Sequence, residues 1–490
     1  MLTHSLTQIS PSRPLPLENL SSCMNALTAP MASLRDALIS AGCLRCRVLC
    51  GATSSVAIKT LLHGSSLGCN HAGELSGRSI LLTTNDQLAA ALALIELDGI
   101  ASRIVICPPE TTPEHFPSLI GKGSIDTVVS DYELPKYYSL TGLSQVRCGS
   151  TIRPVDDVHI DRRPTEWVLL SSGTTGAPKM IVHNLTSLVA PIKLATSPGE
   201  KLVWGTFYDI RRYGGLQVFL RAALGGGSLV LSGDTETTGE HLIRLSKQGV
   251  THLSGTPSQW RRALMSPEAH RIDPSYIRLS GEIVDQAILN ALRSFYPKAA
   301  VGHAFASTEA GVGFEVNDGL AGFPAAILNH DTSVEIKVCN DSLRIRSNRT
   351  ASHYLDSRNG ALVNGDGFVD TGDIVELRGD RYYFLGRRNG VINVGGLKVY
   401  PEEVEAVINR HPAVRMSVVR PRRNPITGSL VSADIMLKDA SLAEQQSQVI
   451  KSEILEICQQ SLAHHKIPVI IRYVNSVGVA ATGKLSRHDA

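Results

Sequence analysis

LLSSGTTGAPKMIVH, residues 169–183, is the stretch on which the reading of this chain turns. A run of apolar residues ends in a loop of serines, threonines and glycines closed by a single lysine, Lys179, and a second apolar run follows. Glycine lets backbone N–H groups converge on one point, the hydroxyls add donors and the ammonium adds charge, which together suit the oxygens of a polyphosphate. The spacing is not that of the GxxxxGK[ST] loop, because Lys179 lies three residues after Gly176 and Met180 follows it.

Outward from this loop, SILLT, RIVICPP, TVVSD and WVLLSSG read as short buried strands, and NDQLAAALALIELDG as a core helix. Alternation of such strands with helical periodicity predicts βαβ units and a parallel sheet covered on both faces. KLVWGTF, GGSLVLS and THLSGTP repeat the pattern after residue 200, separated by the helical segments GGLQVFLRAAL and TGEHLIRLSKQG. Beyond about residue 360 the texture changes to Gly- and Asp-rich turns between short strands, which predicts hairpins. EEVEAVINRHP then follows Pro401 as a helix, and MSVVRP, SADIML, QVIKSEILEICQQSL and PVIIRYV complete a small α+β module.

The predicted fold is therefore α/β: a large N-terminal domain of layered α/β subdomains over 1–385, a hinge at 386–390 and a small C-terminal α+β lid over 391–490. Residues 1–30 read as a loose leader, and no role is assigned to residues 1–78. The chain has 490 residues, more than one hydrophobic core usually spans, with 43% hydrophobic and 19% charged residues.

A formal charge of +3 without a basic block argues against nucleic acid as a partner. The longest apolar run, LAAALALIEL, is too short to cross a bilayer, so no membrane span is expected. The N-terminus lacks the pattern of a secretory leader, and a cytoplasmic location is expected. Nine cysteines do not describe a disulfide framework. Cys43, Cys46 and Cys50 fall roughly on one helical face and read as packing rather than a metal site. No GxGxxG opens the early βαβ region, which argues against a dinucleotide-binding protein.

Four further segments carry chemistry. In HAFASTEAG, 303–311, Thr308 suits phosphate donation, and Glu309 suits a Mg²⁺ ion, because a carboxylate beside phosphate is repulsive unless it holds a cation. Asp373 in DTGDI can accept ribose hydroxyls, or be an ordinary turn aspartate. Arg387 in FLGRRNG can bond ribose or α-phosphate. Lys484 in AATGKLSR stands near the C-terminus, where a lone lysine is ordinarily only solvated.

Taken together and in this order, these segments resemble the acyl-adenylate-forming superfamily of acyl- and aryl-CoA ligases, carrier-protein adenylation domains and luciferases. The resemblance runs from about residue 160 to 487, with residues 79–160 similar to the shortened first half of some bacterial members. It implies activation of a carboxylic acid by ATP and Mg²⁺ to an acyl adenylate, then transfer to coenzyme A, or to the phosphopantetheine thiol of a separate acyl carrier protein. A homodimer is compatible with it.

Residue by residue, the resemblance places Ser171, Ser172, Gly173, Thr174, Thr175, Gly176 and Lys179 around the phosphates, Phe305 on adenine and His303 at its amino group. It puts Asp373 and Arg387 on the ribose, and Thr308 and Glu309 beside the phosphates. Lys484 becomes the catalytic lysine bridging acyl carboxylate and α-phosphate. TFYDIRRYGGLQ, 206–217, falls at the acyl pocket, with Tyr208, Asp209 and Tyr213 as candidates, Gly281 opposite, and Arg211 or Arg212 facing solvent. The GGLQ and DGIASRIVICPPE segments look like relatives that activate aryl acids, ahead of fatty acids. A non-catalytic nucleotide-binding relative is the contrasting class, disfavoured because Lys179, Glu309, Asp373, Arg387 and Lys484 are all present. Departures from the family pattern are Asn389 at the hinge, Ala306 for glycine, LSGEIVD for a glycine-glycine loop, and no proline before Gly483 and Lys484.

Overall fold

The computed structural model describes all residues except 1–32, 41–46, 69–71, 135–141, 156–161, 172–177, 194–201, 330–332, 426–427, 479–483 and 488–490. The expected leader at 1–30, Cys43, Cys46 and residues Ser172 to Gly176 of the expected phosphate loop lie outside the described residues.

Two eight-stranded sheets form the large domain. In the first, Ser79–Thr83, Arg103–Cys107 and Glu166–Ser171 run parallel, and Lys179–His183 turns back antiparallel on the last of them. In the second, Val203–Thr206, His252–Gly255, Tyr276–Ser280 and Ala300–Ser307 are successive parallel neighbours. The apolar runs are continuous rather than alternating because helices cover these strands on both faces.

Helix Gln87–Leu97 is buried at every residue, and Tyr213–Leu224 nearly so. One core joins these helices to both sheets through Ile80, Ile104, Trp204 and Leu229. Asp86 caps the first helix by accepting from the Leu88 N–H, which fixes where the strand-following loop ends.

Two described strands that precede residue 79 join these sheets. Val48–Cys50 inserts parallel to Ser228–Val230, with Leu49 opposite Leu229, and Gly64–Leu67 pairs antiparallel with Ser144–Pro154. Cys50 consequently ends a strand, so the expected helical face of cysteines is not formed there. Strand formation wins because Leu49 and Cys50 enter an apolar sheet edge that a helix could not pair.

A five-stranded antiparallel sheet contains the expected hairpin of Val369–Arg378 and Arg381–Arg387. After a short turn at Arg388–Gly390, a separate core gathers Ile392, Val404, Ile408, Val419, Ile435 and Ile454. Within it Val414–Asn424 and Gly428–Leu437 are antiparallel, helix Ser447–Ser461 crosses over, and Ile470–Tyr473 returns parallel to Gly428–Leu437. No described helix is long and apolar enough to cross a membrane.

Candidate active site

The carboxyl ends of Val203–Thr206, His252–Gly255, Tyr276–Ser280 and Ala300–Ser307, all parallel, open on one edge of the second sheet, where ligands of such sheets bind. Tyr208 follows the first, Thr256 the second, Gly281 and Glu282 the third, and Thr308 and Glu309 the fourth.

Strands Glu166–Ser171 and Lys179–His183 flank residues 172–177 and pair antiparallel. Ser171 and Lys179 face each other as the last register pair. Its ammonium lies 5.1 Å from the centre of the Tyr354 ring. His183, at the other end of the same strand, is fully buried. Its Nε2 is 2.7 Å from the Thr308 carbonyl oxygen and its Nδ1 3.0 Å from the Ser187 hydroxyl. Burial pulls its pKa down to about 4, so the ring is neutral and donates from Nε2 to Thr308. The strand that begins at Lys179 is thereby tied, at its far end, to Thr308 just beyond strand Ala300–Ser307, by a histidine whose place in the sequence gave it no evident role.

Glu309 is half-buried, and its carboxylate has no hydrogen bond or ion pair among the described residues. Among them no three His, Cys, Asp or Glu side chains form a cluster able to hold a metal by themselves. A lone carboxylate fits Mg²⁺, which usually takes one or two protein oxygens and completes its shell with water and substrate phosphates. Glu309 is therefore the protein oxygen that would hold such an ion.

Asp373 and Arg387 are register partners across the hairpin, with Arg387 Nε 3.1 Å from Asp373 Oδ1. The Asp373 carboxylate, first, and burial act in opposite directions on Arg387, and the net is a raised pKa. Asp373 Oδ2 is buried with no hydrogen-bond partner among the described residues. A buried carboxylate oxygen left unpaired is costly, and a ribose hydroxyl donor would satisfy it.

Lys484 reaches this edge from the C-terminal segment. Its Cε is 3.7 Å from the position a β-carbon on Gly281 would occupy. Crowding by protein lowers its pKa, Arg387 lowers it further, and Glu282 and Asp373 oppose them, although the side chain keeps a solvent-exposed surface. Lys484, Gly281, Asp373 and Arg387, scattered in sequence, thus share one crevice between the two domains.

Other candidates sit differently. Phe305 is half-buried and lies parallel to Phe314 and Phe384, with ring centres 5.6 and 5.4 Å away. His303 is buried, and its Nε2 is 3.0 Å from the Leu320 carbonyl oxygen, which leaves Nδ1 for any other contact. Tyr208 donates to the Ser280 carbonyl at 2.7 Å, and Tyr213 packs against His183. Asp209 is engaged by Arg211 through Nη2 at 2.6 Å.

Arg211 does not face solvent as expected, and Arg212 is half-buried. Arg211 is 1% exposed and also bonds Asp234 and the Thr84 and Asn85 carbonyls, so it ties the two sheets together. Arg212 pairs with Glu110. The sequence showed two adjacent charges in a polar loop, and only the surrounding carboxylates and carbonyls explain the burial of Arg211.

The AMP-binding enzyme family model matches residues 80–363, and the AMP-binding enzyme C-terminal domain model matches residues 403–484. A long-chain-fatty-acid–CoA ligase of Yersinia pestis is 26% identical over 398 residues, covering 74% of this chain and 67% of that protein. A 2-succinylbenzoate–CoA ligase of Staphylococcus aureus is 23% identical, covering 66% of this chain and 65% of that protein. Among solved structures, the anthranilate CoA ligase AuaEII in complex with anthranoyl-AMP superposes with a TM-score of 0.74 at 18% identity, over 92% of this chain and 95% of that one. The amide bond synthetase McbA from Marinactinospora thermotolerans gives 0.72 at 18% identity, over 93% and 98%.

Proposed function

The chain belongs to the AMP-binding enzyme family of acyl-adenylate-forming enzymes, and from that premise we propose that it activates an aryl carboxylic acid with ATP and passes the acyl group to the thiol of coenzyme A. The observation that carries this reading is the meeting of Lys484 with Gly281, Asp373 and Arg387 in one crevice.

In the first step a carboxylate oxygen attacks the α-phosphorus, the bond to the β-phosphate oxygen breaks, and pyrophosphate leaves. Two anions must approach, so positive charge has to meet the charge that develops in the transition state. Lys484 supplies it at the acyl carboxylate and α-phosphate. Lys179 supplies it at the departing phosphates. Asp373 and Arg387 hold the ribose in place, which fixes the α-phosphorus in line with the acid. A divalent ion on Glu309, when bound, neutralises the outer phosphates.

In the second step the thiol sulfur attacks the acyl carbonyl carbon, AMP leaves, and the thiol proton goes to solvent. The turn at Arg388–Gly390, with Asn389 at its centre, is the point about which the small domain would turn between steps. The lid domain over 391–490 and the hinge at 386–390 belong to this reading.

The aryl preference draws on the GGLQ segment at the head of helix Tyr213–Leu224, on the buried Tyr208 and Tyr213 beside it, and on the anthranilate and 2-succinylbenzoate ligases among the relatives. A fatty acid is the second reading, favoured by the Yersinia relative. Purified protein is incubated with ATP, Mg²⁺ and a panel of aryl and fatty acids, with coenzyme A or a carrier protein, and products are read by mass. Aryl adenylate and aryl-CoA are expected. Pyrophosphate release with no acid of either class would end the reading, and release with fatty acids alone would replace its substrate.

A further inference from the structure

The loop that follows strand Tyr276–Ser280 makes contacts that the adenylation chemistry does not by itself require. Glu282 Oε1 accepts from the Leu485 N–H at 2.8 Å, and this residue directly follows Lys484. The same carboxylate accepts from the Ser258 hydroxyl at 3.0 Å and, through Oε2, from the Ser258 N–H at 2.9 Å. Glu282 is therefore fixed on the large domain by two bonds and grips the tail with a third.

Behind the grip, the tail is anchored to the small domain. Arg487 pairs with Glu402 at 3.0 Å and with Glu405 at 2.7 Å, and Arg420 donates to the Ser486 carbonyl at 3.0 Å. At the far end of the loop, Asp285 accepts from Asn409 Nδ2 at 3.2 Å while paired with Arg261 at 2.6 Å. Loop 281–285 thus touches the small domain at two places.

We infer that Glu282 is a positioning residue for adenylation, holding the backbone beside Lys484 so that the ammonium enters the crevice, and that this hydrogen bond must open before the small domain turns. The assignment rests on the proposed activity for its kinetic consequences, but its structural part does not. A backbone bond one residue from a flexible lysine removes most of the freedom that the side chain would otherwise have to lose in the transition state. A carboxylate acceptor makes this a charge-assisted bond, stronger than a carbonyl would give.

Two measurements test it on the full chain. Hydrogen–deuterium exchange of the C-terminal peptide, without ATP or acid, is expected to rise at Leu485 by about tenfold or more in Glu282→Ala, while the core strand Tyr276–Ser280 stays protected. Should that variant fold poorly, Glu282→Gln, which keeps one acceptor oxygen, gives the smaller change in the same direction. Unchanged exchange at Leu485 overturns the inference whatever the enzyme turns over.

The second measurement separates the half-reactions. In Glu282→Ala, acid-dependent pyrophosphate exchange is expected to lose about tenfold in kcat with KM for ATP nearly unchanged, and thioester formation from supplied acyl adenylate is expected to persist. In a Lys484→Ala background, the second substitution is expected to cost nothing more, because the residue it positions is gone. Equal loss in both half-reactions, or full additivity with Lys484→Ala, refutes the positioning role. A wild-type protein that exchanges no pyrophosphate with any acid instead refutes the proposed activity, and the exchange at Leu485 still decides the grip.

Discussion

Gly281 leaves open the space beside Lys484: a β-carbon there would stand 3.7 Å from the lysine Cε and 3.7 Å from Thr256 Cγ2. The glycine also has φ of +87°, a conformation that other residues adopt at a cost of roughly 1–2 kcal/mol. Gly281→Ala is expected to lower stability by about 1 kcal/mol with a modest loss of adenylation. Gly281→Val adds bulk where Lys484 and the acid would meet, and is expected to reduce pyrophosphate exchange by roughly tenfold or more. Denaturant midpoints and exchange rates of the two variants check this, and equal exchange rates would show that the space is not used.

Asp373→Asn replaces an acceptor by a donor at a carboxylate whose Oδ2 has no described partner, and weakens the bond to Arg387. KM for ATP is expected to rise by about tenfold, corresponding to the loss of one hydrogen bond to a charged group, with KM for the acid little changed. Calorimetric titration with ATP gives the same comparison without turnover.

In the proposed mechanism Lys484 works as the ammonium, and crowding in the crevice together with Arg387 lowers its pKa. Adenylation is therefore expected to fall as pH rises through that depressed value, with an alkaline limb below the ordinary lysine range near ~10.4. Lys484→Arg keeps the charge throughout and is expected to lose the limb along with part of the rate. A limb that survives in this variant would assign it to another group.

His183 is a stability determinant with a definite pH sign. Its folded pKa, near 4, lies below the ordinary 6.5, so the unfolded chain binds the proton more readily between those values. The stabilisation is complete above pH 6.5 and is lost as pH falls toward 4, by about 3 kcal/mol in all. His183→Gln can still donate to the Thr308 carbonyl and does not titrate. The difference in unfolding free energy between wild type and variant is expected to shrink or reverse on acidification across that window, and a constant difference would contradict the assignment.

Arg211→Met removes a 1% exposed charge that holds Asp209 and Asp234 as well as two backbone carbonyls. Leaving those acceptors without their cation is expected to cost roughly 3–5 kcal/mol. Urea unfolding is the check, and a loss under 1 kcal/mol would mean that water replaces the guanidinium.

The parallel strands, the covering helices and the Gly/Asp hairpins are legible in the sequence, because continuous apolar runs, helical spacing and turn residues are local patterns read by local physics. The start of the small-domain helix at Pro401 belongs to the same class. The insertion of Val48–Cys50 into a sheet built mainly after residue 200 was not legible, since a three-residue strand has too little pattern to announce its partner.

The site divides in the same way. Sequence alone singled out side chains with suitable chemistry: Lys179 beside a hydroxyl-rich segment, Glu309, Asp373, Arg387 and Lys484. It said nothing of Glu282 holding Leu485, of His183 bonding Thr308, or of the burial of Arg211, because each depends on partners distant along the chain. Tertiary structure decided those, for a physical reason: a carboxylate or imidazole has its function set by what desolvates it and which donors it meets, and neither is carried by its neighbours in sequence.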